Sequence, residues 1–288
     1  MLNKIITHCY NFILFKIIKS AIYSNHKMPK EFEAKILNID ITKIKKKLRE
    51  NGATKVHDPL KFYRLIFKRC EEKGDKPGFV RIRDEGKKIT MTTKIFNDKK
   101  FPEEREVTIN ETFEKGCEFL KAIGIEEKSY QETMREKWRH PLAHEITFDI
   151  VPGLPIYMEI DCTSEANLNK LVSLLELDKT NMKYGSFDKT YTEYYDIPSD
   201  TIIHKTPSLT FKDVSAQIKP NKNVPMFREI TKLNKLIDER KMDAYYKKYK
   251  TLIYDKFLSK TSATESKTKS KHTRRHKKGR RNATRRRK

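Results

Sequence analysis

Hydrophobic and polar positions alternate with a period of two along much of the chain between residues 31 and 161, the spacing of strands with two unlike faces. Glu31, Glu33 and Lys35 share one face of the first strand, and Phe32, Ala34 and Ile36 the other. A strand follows near Phe62 to Lys68, and then a Gly/Asp/Pro turn at residues 74–78. Val80 and Ile82 alternate with Arg81 and Arg83, and the Glu85-Gly86 turn leads into Ile89 to Ile95, where Thr90, Thr92 and Lys94 share a face. This is a β-hairpin with a cationic polar face. Beyond a turn at residues 99–102, Glu104, Glu106 and Thr108 lie opposite Arg105, Val107 and Ile109. Three more strands set Arg135, Lys137 and Arg139 against Met134 and Trp138, then Glu145, Thr147 and Asp149 against Ile146, Phe148 and Ile150. The last sets Glu159 and Asp161 against Met158 and Ile160.

The period changes to that of a helix in three places. Asp40 caps a helix carrying Ile41, Ile44 and Leu48 that stops at Asn51-Gly52. Residues 111–123 carry the stripe Phe113, Cys117, Leu120 and Ile123 ahead of Gly124, and Ser164 caps a third helix with Leu168, Leu171, Val172 and Leu175. Eight strands, each apolar on one face and charged on the other, predict an α+β fold. The expected architecture is an eight-stranded antiparallel closed barrel whose charges line a wet lumen and whose apolar outside is covered by helices.

The charges give that lumen a chemistry. Lys35, Arg81, Arg83, Lys94, Arg135 and one of Lys137 or Arg139 cannot crowd together without an anion to neutralise them. Arginine offers planar forks to phosphate oxygens and lysine a point charge. Glu31, Glu33, Glu104, Glu106, Asp149, Glu159 and Asp161 equally call for cations, and their hard oxygens suit Mg²⁺ or Mn²⁺. A triphosphate beside a divalent metal satisfies both sets.

Glu31-x-Glu33-x-Lys35 resembles the ExExK motif of the CYTH domain, the triphosphate tunnel metalloenzyme family of thiamine and inorganic triphosphatases and class IV adenylate cyclases. The similarity continues in the family's order through Arg81-Ile-Arg83, Thr90-x-Thr92-x-Lys94, the Glu104/Glu106 strand, Arg135, Asp149 ahead of Pro152-Gly153, and Glu159-Ile-Asp161. The last pair is usually Glu-x-Glu, so Asp161 is a shorter ligand. Lys189-Thr190-Tyr191 resembles the segment that closes one end of the tunnel, which makes Lys189 a phosphate contact. The resemblance covers residues 29–197 and implies metal-dependent hydrolysis of a triphosphate, with Glu31, Glu33 and Lys35 in catalytic roles. Inorganic, thiamine and nucleoside triphosphates all remain open as substrates. A cyclase, an RNA 5′-triphosphatase and a non-catalytic polyphosphate or nucleic-acid binder stand as alternatives.

Composition divides the remainder. Of the net charge of +24, residues 260–288 carry +13, from fourteen Lys/Arg against Glu265. Such a stretch cannot repay the entropy of folding, so a disordered basic tail is expected at 259–288, with non-specific affinity for nucleic acid or a nuclear address. The domain between them, 28–197, is the tunnel. Residues 198–258 form a helical extension in which Ile230, Leu233, Ile237, Tyr245, Tyr249, Leu252 and Ile253 serve packing. The apolar run Ile5 to Phe15 is shorter than the roughly 20 residues that span a bilayer, and no small-x-small cleavage pattern follows it. Residues 1–27 are either an amphipathic, signal-like segment or lie ahead of a start at Met28, and no stable membrane insertion is expected. Cys9, Cys70, Cys117 and Cys162 show no metal or disulfide spacing, which fits a reducing intracellular compartment, cytoplasmic or nuclear.

Overall fold

The computed structural model describes residues 32–69, 77–96, 102–234, 237 and 242–259. The N-terminal segment, Glu31 and the basic tail lie outside them, as do the expectations placed there. The eight expected strands are all present: β1 (Phe32–Ile36), β2 (Thr54–Lys68), β3 (Gly78–Asp84), β4 (Ile89–Ile95), β5 (Glu103–Ile109), β6 (Glu127–His140), β7 (Ala143–Ile150) and β8 (Tyr157–Cys162). Two short strands, β9 (Met182–Lys183) and β10 (Ser208–Leu209), join them.

The sheet runs β5-β4-β3-β2-β6-β7-β8-β1-β9, with β10 parallel to the first half of β6 and every other pairing antiparallel. Among the described residues no backbone ladder joins β5 to β1 or β9, so the expected closed barrel is instead a strongly curled open sheet. Its two ends meet through side chains, as Lys94 of β4 reaches Glu33 of β1 at 3.7 Å. The long strands β2 and β6 exceed the expected runs. Their added residues carry His57, Asp58 and Pro59 on β2 and Ser129, Gln131 and Thr133 on β6, and β-bulges interrupt the β2/β6 ladder near His57. Neither stretch has a charged or apolar alternation to announce it.

Helices cover the outer face. α1 (Ile41–Glu50) is capped by Asp40, whose Oδ1 accepts from Lys43 N at 3.1 Å, and ends at Gly52 with φ of 80°. α2 (Phe113–Ala122) is capped by Thr112 and lies close on β3 and β5, since a Cβ on Gly116 would stand 2.9 Å from Ile109 and 3.1 Å from Ile82. α3 (Glu165–Leu174) starts at the Ser164 cap. The chain continues through α4 (Asp188–Tyr195), α5 (Ser199–His204), α6 (Val214–Gln217), α7 (Val224–Asn234) and α8 (Met242–Tyr249), the last running on into a π-wound turn at Lys250–Leu258. Among the described residues no helix is long and apolar enough to cross a membrane.

The C-terminal helices share the main core with the sheet. Phe227, Ile230, Leu233, Tyr245, Tyr249 and Ile253 are buried against the outward residues Met134, Trp138, Ile146, Phe148 and Ile160. Exposed Leu252 departs from the expected stripe. α4 and α7 also hold the Pro152-Gly153 turn. Tyr191 and Tyr195 donate to the carbonyls of Pro152 and Gly153, and the Gly153 Cα faces the Phe227 ring with no room for a Cβ. Glu136, at an outward position of β6, is buried and accepts from Lys45 at 2.6 Å and Trp138 Nε1 at 2.7 Å. Burying these polar groups costs little, because each has a partner.

Candidate active site

The curl of the sheet turns alternate residues from each of β1 to β8 toward one cavity of about 1180 Å³. β1 supplies Glu33 and Lys35; β2 Phe62, Arg64 and Ile66; β3 Arg81 and Arg83; β4 Lys94; and β5 Glu104 and Glu106. β6 contributes Ser129, Gln131, Thr133, Arg135 and Lys137, β7 Glu145 and Asp149, and β8 Tyr157, Glu159 and Asp161. The apolar partners of these residues fill the cores outside, which is why the charged face points inward.

Two ion networks organise the walls. On the β1/β7/β8 side, the Lys35 ammonium meets Glu33 at 2.5 Å and Glu159 at 2.7 Å and donates to the Gly185 carbonyl at 2.7 Å. Arg135 grips Asp149 with both prongs at 2.7 and 2.6 Å, and also reaches Glu159 at 2.7 Å and Glu145 at 3.0 Å. On the β3/β4/β5 side, Arg81 and Arg83 approach Glu106 at 3.5 and 3.4 Å, Arg83 meets Glu85 at 2.5 Å, and Lys94 meets Glu104 at 3.0 Å. Burial opposes the Lys35 charge, but Glu159 and Glu33 outweigh it and hold the ammonium above its ordinary value. Burial likewise opposes the Glu159 carboxylate, and Lys35 and Arg135 hold it well below its ordinary range. Arg81 differs: burial and neighbouring Arg83 push it down to about 10, against the pull of Glu104 and Glu106.

Thus Glu33, Lys35, Arg81, Arg83, Lys94, Glu104, Glu106, Arg135, Lys137, Asp149, Glu159 and Asp161 converge as the sequence pattern predicts. Lys189 does not. It is exposed on α4, where Asp188, Thr190 and Tyr191 take the inward positions, and its stem packs over Gly185 rather than lining the cavity. Arg139 is exposed at the end of β6. The sequence pattern passes over Arg64, Gln131, Tyr157 and Glu85. Arg64 is the sole charge between Phe62 and Ile66 on its strand face, so charge pairing at i and i+2 does not reveal it; alternation alone would have.

The expected metal set is redistributed. Asp149, Glu159, Glu104 and Glu106 are engaged by the tunnel's own cations, and among the described residues no three His, Cys, Asp or Glu side chains stand grouped to hold an ion. Glu33, itself paired with Lys35 and near Lys94, stands opposite Asp161 in the β1/β8 ladder, and Asp161 Oδ1 is buried without a hydrogen-bond partner. Burial, then Glu33 and Glu145, push the Asp161 carboxyl up to about 7. Two hard carboxylates with an unsatisfied oxygen suit a hydrated Mg²⁺ or Mn²⁺, which keeps waters and takes further ligands from phosphate.

The Asp161 environment has a pH consequence. Its folded pKa lies above the unfolded value of about 3.9, so the native state holds an extra proton between the two. The stability this contributes is full below about pH 4 and is lost as pH rises through about 7. Asp161→Asn should therefore gain melting temperature relative to the native protein at pH 8 but not at pH 4, both without divalent metal. A constant difference across that range would show that Asp161 is not strained by its neighbours.

No family model and no curated protein matches this sequence. Solved structures do. PH1819 of Pyrococcus horikoshii is 24% identical over 57% of this chain and 98% of its own, with a TM-score of 0.44. A candidate adenylate cyclase of Vibrio parahaemolyticus is 12% identical over 57% and 98%, with a TM-score of 0.47. CYTH-type proteins are among the solved structures similar to this chain. HpAC1 of Hippeastrum, described with a dominant triphosphatase activity, is 13% identical over 57% and 94%, with a TM-score of 0.39.

Proposed function

We propose that the cavity binds the phosphate chain of a triphosphate and hydrolyses it with a divalent cation. The observation that carries this reading is the state of the buried polar atoms. Nε of Arg64, Arg81 and Arg83 and Oε1 of Gln131 are buried around the cavity without partners, alongside Asp161 Oδ1. Such groups are rare in folded proteins unless a ligand or ion completes them. Four of the five lie on the β2, β3 and β6 wall, three of them arginines, and the fifth is a carboxylate on the opposite wall. A polyanion and a hard cation side by side would complete both.

In this reading Arg81, Arg83, Lys94 and Lys35 hold successive phosphate oxygens, and Arg135 fixes Asp149 and Glu159 so that neither carboxylate turns toward the substrate. Glu33 and Asp161 would hold the cation, which would supply positive charge against the charge that develops on the phosphate during transfer. The protein's share is positioning and electrostatic stabilisation, with little covalent chemistry.

The test is a product assay with Mg²⁺ and with Mn²⁺ on tripolyphosphate, thiamine triphosphate, ATP and 5′-triphosphorylated RNA. Released phosphate from at least one substrate, dependent on metal, is the expected result. Cyclic AMP from ATP without phosphate release would transfer the site to the cyclase reading. Binding of all four without any product would leave a polyphosphate binder.

A further inference from the structure

A second cavity, of about 200 Å³, lies outside the tunnel, between α1 and the C-terminal helix in which α8 runs on into the π-wound turn. It shares no lining residue with the tunnel. Two helical stripes face each other across it: Ile41, Lys45 and Arg49 on α1, and Tyr246, Lys250 and Tyr254 on the C-terminal side, each spaced by four residues. Inside the cavity the polar groups already have partners. Lys45 meets Glu136 at 2.6 Å and lies 4.2 Å from the centre of the Tyr246 ring, and the Tyr246 hydroxyl donates to Glu136 at 3.3 Å. The Tyr249 hydroxyl accepts from Ile156 N at 2.9 Å, and Asp40 caps α1. The rim is different. Arg49 and Lys250 are exposed, and among the described residues neither has a carboxylate within ion-pair distance.

Wall and rim call for different parts of one ligand. Ile39, Ile41 and the three tyrosines offer apolar and aromatic surface, which suits a flat ring system. The space is smaller than the roughly 300–1,000 Å³ of pockets that enclose a whole drug-sized molecule, so it takes one ring system and leaves the remainder at the rim. There the remainder meets Arg49 and Lys250, and exposed Lys43 on α1 and Lys247 and Lys248 on α8 make the surrounding surface basic. The +13 stretch of residues 260–288 follows directly on this helix, which ends at Leu258. We infer that this cavity is a nucleotide site separate from the tunnel, with the base against Tyr246 and Tyr254 and a phosphate on Arg49 and Lys250. A free mononucleotide and one unit of a single-stranded RNA present the same chemistry. A bare oxyanion would leave the aromatic wall unused. The site does not depend on what the tunnel hydrolyses.

The test titrates the full chain with AMP, with a short single-stranded RNA lacking a 5′ phosphate, and with ribose 5-phosphate, each followed by calorimetry. Trp138, the chain's single tryptophan, reports the place of binding by fluorescence, because the Arg49 guanidinium lies 5.3 Å from its ring centre. Ribose 5-phosphate should bind about fivefold or more weakly than AMP, the loss expected for one base stack. Thr42→Phe, at an exposed position of the cavity wall, should block the site. Arg49→Gln combined with Lys250→Gln should weaken binding about tenfold or more, the loss expected for charged hydrogen bonds. Loss of AMP alone in these variants assigns the site to a free nucleotide, and loss of RNA assigns it to a strand. If neither AMP nor RNA binds, if both bind the variants within twofold of the native protein, or if ribose 5-phosphate binds as tightly as AMP, the cavity is not a nucleotide site.

Discussion

Arg135→Ala is expected to cost the fold about 3–5 kcal/mol, the loss typical when one partner of a buried ion pair is removed. Its guanidinium makes four hydrogen bonds to three carboxylates, and Asp149 and Glu159 have side chains only 3% and 14% exposed. Truncation strands those carboxylates in a low-dielectric wall with Lys35 as the remaining close cation for Glu159. The melting temperature should fall by on the order of 10 °C at neutral pH. The deficit should shrink in acid, as the stranded carboxyl groups take up protons instead of remaining charged. Arg135→Lys should lie between, because a point charge cannot replace the two-pronged grip on Asp149. Thermal melting at pH 5 and pH 8 reads all three. A loss under about 1 kcal/mol for the alanine variant would mean that Arg135 is not the keystone of this wall.

Glu33→Gln should reduce metal-dependent turnover about 10²–10³-fold while leaving the affinity for tripolyphosphate equal or tighter. The carboxylate neutralises Lys35 and approaches Lys94, and it faces Asp161 across the ladder. Removing its charge takes away half of the candidate metal pair, and losses of that size are usual when one preorganised charged group leaves an active site. The same change leaves Lys35 and Lys94 with less carboxylate around them, so a polyanion should not bind less well. Phosphate release in Mg²⁺ and calorimetry in chelator measure the two halves separately. Turnover within twofold of the native protein would remove Glu33 from the metal site.

Much of the tunnel was legible without coordinates. Period-two alternation placed all eight main strands and assigned the inward faces of Lys35, Arg81, Arg83, Lys94, Arg135, Glu159 and Asp161, because a strand has only two faces and its apolar residues must take the one that packs. Cap residues Asp40 and Ser164 start two helices where the chain changes period, and Gly52 and Gly124 stop two, since each satisfies or releases backbone groups locally. The added lengths of β2 and β6 had no such mark. Their interior positions hold Ser129, Gln131 and Thr133, which are neutral, and their ladder depends on strands distant in sequence.

What the amino-acid sequence determined by itself, then, is which residues face the lumen, because that depends on the two-residue repeat of a strand and on the nearest apolar neighbours. Which of those residues are neutralised, and by whom, is decided only by the tertiary structure. Glu33 touches Lys35 on its own strand but Lys94 across the gap between the sheet's two ends, and Arg135 gathers carboxylates from β7 and β8. Arg64, which the sequence pattern passes over, lines the cavity and has no carboxylate within ion-pair distance among the described residues. Lys189 matches a motif yet turns to the surface, because the tyrosines beside it claim the buried side of α4. Ionic partnership falls off with distance in space and is steepened by burial, and neither quantity is written in the spacing of residues along the chain.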